Sequence, residues 1–317
     1  MTRRSAPRPG AGAARRLRDL AELVRAPAAL TVPGDVLAGA AAAGRSPGLP
    51  VAGLAASSVC LYWAGMALND WADRDLDAVE RPERPIPSGR VTAPVALSTA
   101  VGLTAAALGL AAAAEGRRAM TVGVPLAATV WAYDLWAKPR AAGPAVMAAA
   151  RGLDVLLGAG VGRTRPALPA AATIAGHTLA VTALSRAEVS GADPWLPGAA
   201  LAATGAVTAA VALRGARAAG AAGAAGTMRA GQRAGRAARP AVACGLAAYG
   251  ATAGLAQARA VADPSPGRVR GAVGAGILGL IPLQAALAAS AGARRPALAL
   301  AAVFAPARAL SRRVSPT

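Results

Sequence analysis

Long stretches of this chain carry little or no charge, and several run for about 20 residues, the length a helix needs to cross the hydrocarbon core of a bilayer. They fall at about 27–44, 50–68, 92–114, 119–137, 143–162, 167–185, 195–213, 240–262 and 271–293, which predicts nine transmembrane helices. A tenth stretch, 296–310, is interrupted by Pro306 and Arg308. Backbone polar groups in lipid have to be satisfied within their own segment, so the expected fold is an all-α, polytopic membrane bundle. Charge-free length carries this better than hydropathy, because much of the apolar content is alanine and glycine, both weak membrane formers. With 15% charged residues against about 25% in ordinary soluble domains, a soluble globule is disfavoured. Disorder is excluded by the high apolar content, and two cysteines exclude a disulfide scaffold. Only 3% of residues are aromatic, which argues against a base-stacking nucleic-acid binder despite a net charge of +19.

Charge also orients the chain. A basic arm over 1–26, with Arg3, Arg4, Arg8, Arg15, Arg16 and Arg18, places the N-terminus in the cytoplasm of a multi-pass cell-membrane protein. The first apolar stretch lacks a small-residue cleavage pattern and reads as a retained span. Residues 27–293 form the transmembrane domain, and 294–317 a C-terminal tail or short extra helix. Alternation puts the acidic window after the second span, the Lys138/Arg140 turn and 186–193 in the cytoplasm. A low-complexity Arg/Ala/Gly linker at 214–239 falls outside by the same count. Its Arg214, Arg217, Arg229, Arg233, Arg236 and Arg239 argue for the opposite side.

Six of the fifteen acids, Asp70, Asp73, Asp75, Asp77, Glu80 and Glu83, lie in the window 69–90. At about 100° per residue, Asp70, Asp73 and Asp77 share a sector of roughly 60° with Asn69 beside them, while Asp75 points away. Like charges so placed destabilise a helix unless a cation neutralises them. Mg²⁺ suits the place, since it takes oxygen ligands and is usually held by one or two carboxylates plus substrate phosphates. The plainer reading is a solvated helix end whose acids pair with Arg74, Arg81 and Arg84. The following loop, 81–90, is stiffened by three prolines and brings Arg84 and Arg90, whose guanidiniums can grip phosphate oxygens bidentately.

These residues resemble the UbiA-type membrane prenyltransferases. The family's N-D-x-x-D-x-x-x-D motif is matched by Asn69, Asp70, Asp73 and Asp77, its R-P-x-x-x-G-x segment by 84–90, and its Tyr-to-Lys signature by Tyr133 and Lys138. The resemblance implies nine helices and transfer of a prenyl group from a prenyl diphosphate donor to an acceptor, with Mg²⁺ assisting departure of the diphosphate. It implies that Asp70, Asp73 and Asp77 serve the metal and that Asn69 and Tyr133 help position the donor. Arg84, Arg90 and Lys138 offset the leaving charge. The family's second motif, D-x-x-x-D in the sixth span, is absent here. Arg186 stands near its first position and Glu188 is the acid in its core, a pattern that, with Arg151 and Asp154 in 151–154, resembles the EboC-like branch. Arg186 can then contact diphosphate directly, with Glu188 holding it or sharing a metal. Loss of the second motif keeps open a non-catalytic, isoprenoid-binding or transporting protein.

Ionisable residues inside spans are functional candidates. Asp35 lies in the first span, one turn beyond Thr31, and is expected to line the acceptor pocket. Arg151 and Asp154, three apart, can pair structurally or bind substrate. His177 without a Cys or His cluster is no zinc site and reads as a satisfied core histidine. Tyr62, Trp63, Met66 and Trp71 read as packing or as a channel wall, and Cys60 and Cys244 as small apolar fillers.

Overall fold

A computed structural model describes residues 11–224 and 228–311, with side chains over 15–217 and 239–309 apart from 27, 28 and 30. Arg3, Arg4 and Arg8 of the arm, the side chains of Arg229, Arg233 and Arg236, and the end of the tail lie outside the described residues. Among the described residues every regular element is a helix, with no strand. The arm ends in α1 (Ala11–Leu23), and a 3₁₀ turn (Ala26–Thr31) leads to α2 (Pro33–Ala42) and α3 (Leu49–Ala72). After α4 (Arg74–Glu80) come α5 (Ala93–Glu115) and α6 (Met120–Ala132), which runs into a π turn, Tyr133–Ala137. Then follow α7 (Gly143–Ala159), α8 (Thr164–Ser185), α9 (Trp195–Ala224) and α10 (Met228–Tyr249). A second π turn (Gly250–Gly254) joins α10 to α11 (Leu255–Ala262), before α12 (Pro266–Ser290) and α13 (Arg294–Ser311).

Among the described residues, six helices are long and apolar enough to cross a bilayer: α3, α5, α8, α9 over Trp195–Arg217, the α10–α11 stretch Arg239–Ala262, and α12. The other three expected spans are helical but short. Pro33 starts α2 late and limits it to 10 residues, α6 has 13 before its π turn, and α7 has 17, between Gly143–Pro144 and a left-handed Gly160. Helix length and composition therefore support six crossings, and the expected count of nine is not reached on that ground. Of the stretch 214–239, the residues up to Ala224 end α9 and those from Met228 begin α10.

Alanine-rich helices have little side-chain bulk, so they gain packing by close approach of backbones. The tightest approach joins α2 to α7. A Cβ placed on Gly39 lands 1.8 Å from the Val155 carbonyl oxygen, and one on Gly158 lands 2.1 Å from that of Val36. Gly158→Ala is therefore expected to push α2 off α7 and cost about 1–3 kcal/mol, the usual range for overpacking. Thermal unfolding in detergent reads this out, and an unchanged midpoint contradicts it. Helix α12 is buried all round from Gly279 to Ala289, the mark of a central helix. It meets α8 through His177, whose Nε2–H donates to the Gly276 carbonyl at 3.0 Å while Nδ1 accepts from the Tyr249 hydroxyl at 2.8 Å. His177 is thus the satisfied core histidine expected.

Candidate functional site

Helix α3 carries Asn69 and Asp70 to its end, bends at Asp73 (φ −88°, ψ 2°) and continues as α4, which carries Asp77. Asp70 and Asp77 are 3% and 2% exposed. One atom joins them: Arg84 Nη1 lies 3.3 Å from Asp70 Oδ1 and 2.7 Å from Asp77 Oδ2. Two buried carboxylates thus converge on a single cationic nitrogen. Arg25 Nη2 donates to the same Asp70 oxygen at 3.0 Å, and Arg81 stands 3.9 Å from Asp77. Asp73 turns instead to Lys138, with which it forms an ion pair. Asp75 faces away as its helical angle requires, its side chain 89% exposed and 3.5 Å from Arg74.

Lys138 reaches α3 because the π turn Tyr133–Ala137 inserts one residue into the end of α6, a distortion frequent at functional sites. The same turn buries Asp134, which accepts a hydrogen bond from Asn69 Nδ2 at 3.1 Å. Asn69 is therefore held from the side, its amide nitrogen engaged by a carboxylate. Tyr133, half-buried, lies within electrostatic range of Asp73, Asp134 and Arg186. That places the end of α8 beside the end of α3, as the span count anticipated. Arg186 Nη1 donates to the Arg140 carbonyl at 2.7 Å, and Glu188 is within range of Arg81 and Arg270. Burial raises the Glu188 carboxyl above its usual range, with both arginines opposing. Arg90 engages α1 rather than the acids of α3, binding Asp19 at 3.1 Å and Glu22 at 2.6 and 2.7 Å.

Sequence reasoning missed two of these residues, Arg25 and Asp134. Arg25 is the one described non-glycine residue with positive φ, at 47°, a conformation that costs energy for any side chain with a Cβ. The available signal was an arginine at the edge of a span, two residues before Pro27. For Asp134 it was an acid inside the apolar stretch leading to Lys138.

A second polar layer lies deeper. Ser58 precedes Asp70 by twelve residues on α3, about 18 Å at 1.5 Å per residue, and its hydroxyl donates to Asp154 Oδ2 at 2.5 Å. Arg151 pairs with Asp35 and not with Asp154, its Nε 2.7 Å from Asp35 Oδ2. The spacing of three on one helix made the Arg151–Asp154 pair possible, but the backbone contact of α2 on α7 brings Asp35 closer. Gln284 of α12 closes the layer, donating to Asp35 Oδ1 at 2.7 Å and the Thr31 carbonyl at 2.9 Å. Asp154 Oδ1 is buried without a hydrogen-bond partner.

Does this donor set suit Mg²⁺? The acids at the end of α3 and α4 offer oxygen alone, and Asp70 and Asp77 already aim at one cationic point. Among the described residues no three His, Cys, Asp or Glu side chains stand close enough to hold a metal by themselves. Two carboxylates with water and phosphate completing the shell is nevertheless the arrangement Mg²⁺ favours. The residues fit.

The sequence matches the UbiA prenyltransferase family over residues 31–214, more than half of the chain. Digeranylgeranylglyceryl phosphate synthase of Ignicoccus hospitalis is 44% identical over 90 residues, 28% of this chain and 29% of that protein. Chloroplastic chlorophyll synthase of Arabidopsis thaliana is 40% identical over 70 residues, 20% of this chain and 18% of that protein. The matched region thus spans less than a third of these curated relatives. The apo structure of a UbiA homologue from Aeropyrum pernix K1 superposes with a TM-score of 0.57 at 21% identity, covering 82% of this chain and 96% of that one. A digeranylgeranylglyceryl phosphate synthase structure gives the same TM-score at 16% identity, over 88% and 99%. At these identities the two structures speak for the fold, and the family match supplies the rest: this chain belongs to the UbiA prenyltransferase family.

Proposed function

We propose that the chain transfers a prenyl group from a prenyl diphosphate to a small lipophilic acceptor at the cytoplasmic face of the cell membrane. The observation that carries this is the convergence of Asp70 and Asp77 on one cationic nitrogen at the end of α3, with Arg25 on Asp70, Lys138 on Asp73 and Arg186 within electrostatic range of Tyr133. Asp70 and Asp77, with Asp73 and Glu188 as further acids, would hold Mg²⁺, which would supply positive charge to the departing diphosphate. Arg84 and Lys138 give up carboxylate partners for phosphate oxygens, an exchange between like chemistries with little reorganisation. Arg186 adds charge where the family's second aspartate motif is missing. Asn69, fixed by Asp134, and Tyr133 keep the headgroup in register. The carbon–oxygen bond to diphosphate breaks with its electron pair leaving on the diphosphate. The allylic fragment, shielded from water by the bundle, is captured by the acceptor, which gives up a proton as the new bond forms. Asp35, Arg151 and Asp154 are assigned to the acceptor side, where Arg151 is oriented by its bond to Asp35.

The test is purified protein in detergent with a panel of prenyl diphosphates and Mg²⁺, following diphosphate release and prenylated product. Release that needs Mg²⁺ is expected; none with any donor overturns the reading. Loss of the second aspartate motif, with Arg186 near its first position just beyond α8, favours one alternative, an isoprenoid-binding protein that does not turn over. In that case the donor binds but persists unchanged.

A further inference from the structure

Arg90 has no N–H left to give. Its five donors meet five acceptors: Nε donates to Ser88 Oγ at 3.0 Å, Nη1 to Asp19 and Glu22, and Nη2 to Glu22 and, at 2.7 Å, the Glu83 carbonyl. Two of these partners are carboxylates from α1, gripped in the fork geometry a guanidinium also uses for phosphate. Three residues beyond Glu22 the same segment sends Arg25 across to Asp70. A short piece of chain therefore supplies anions to the loop's cation and a cation to the helix's anion.

We propose that 19–25 is a counter-ion strap, in which Asp19 and Glu22 occupy Arg90 and Arg25 occupies Asp70 until a diphosphate with its divalent cation displaces them. The inference rests on the prenyl diphosphate reading above and names Asp19 and Glu22 as residues that set donor affinity without touching the donor. The exchange swings the charged side chains and loosens the backbone at Arg25, whose N–H donates to the Glu22 carbonyl at 3.0 Å. Leu23 is fully buried and Val24 nearly so, packed with Ala67, Leu68, Val91, Ala96 and Ala100, which anchors the strap while its charged groups turn. Glu22 is half-exposed, its side chain at 48%, so solvent and phosphate can reach the bond. Arg90 holds the Glu22 carboxyl below its usual range, so Glu22 stays ionised near neutral pH. Arg25, strained at φ 47°, sits where release is favoured.

The experiment is calorimetric titration of the full chain in detergent with inorganic pyrophosphate and Mg²⁺, comparing wild type with the double variant Asp19→Asn, Glu22→Gln. Freed of its competitors, Arg90 is expected to bind pyrophosphate about fivefold more tightly, in line with the modest net worth of an exposed ion pair. Amide hydrogen exchange over 19–25 in the wild type is expected to quicken when pyrophosphate and Mg²⁺ are added, a readout that does not depend on the variant folding. Equal or weaker affinity in the variant, or unchanged exchange in the wild type, makes the strap a fixed tie and overturns the proposal. Pyrophosphate binding absent from both proteins sinks the prenyl diphosphate reading along with it. Equal binding in both, with normal turnover, sinks the strap alone.

Discussion

Asp73→Asn is expected to lower diphosphate release by on the order of 10²–10³, the scale seen when one preorganised electrostatic group is removed from a site of charge transfer. The change should leave thermal unfolding nearly untouched. Among the three acids of the motif, Asp73 is the cleanest to remove, because its side chain is 20% exposed and its one ion-pair partner among the described residues is Lys138. Asparagine keeps the shape and takes away the charge that orients Lys138 toward the departing group. Asp70→Asn confounds binding with folding, since that carboxylate is nearly buried and answers both Arg25 and Arg84. Asp75→Asn is the matched control. It removes an acid two residues away that faces solvent, and is expected to leave turnover within about twofold, as for surface substitutions generally. Measured release rates decide it. If Asp73→Asn turns over like wild type, the acids of α3 do not serve the leaving group.

Much of this site was legible because helical geometry is local. The 100° step that set Asp75 apart from Asp70 and Asp77 needs no tertiary contact, and the exposed Asp75 beside two buried neighbours follows from it. Charge-free length announced an all-helical membrane bundle in the same way. What escaped depends on distant parts of the chain. Arg25 meets Asp70 across 45 residues and Asn69 meets Asp134 across 65, and neither pairing leaves a periodic trace. The bend at Asp73 and the π turn before Lys138 break the ideal helices that the angular argument assumes, so Asp73 faces α6 rather than standing with Asp70 and Asp77. Arg151 shows the same limit. Local spacing offered Asp154 as its partner, but two glycines that let α2 lie on α7 decided for Asp35.

That last pairing has a measurable consequence for stability. Asp35 is fully buried and the Arg151 side chain is 14% exposed, so the charges rely on each other and on Gln284 rather than on water. Removing one partner of a buried pair leaves the other uncompensated, at a typical cost of about 3–5 kcal/mol, whereas replacing both by apolar groups is often neutral. Arg151→Met is accordingly expected to destabilise the protein strongly, because the Asp35 carboxylate then has only the Gln284 amide. The double variant Asp35→Leu, Arg151→Met is expected to recover most of the loss. Thermal unfolding of the three proteins in one detergent tests this, with helicity confirming that each is folded before heating. The shape of the double-mutant cycle separates charge from packing. A deep single loss with recovery in the pair identifies an ion pair holding the α2–α7 contact. Losses that simply add mean that α2 stays on α7 through its glycines, and Arg151 is then free to serve the acceptor without a structural debt.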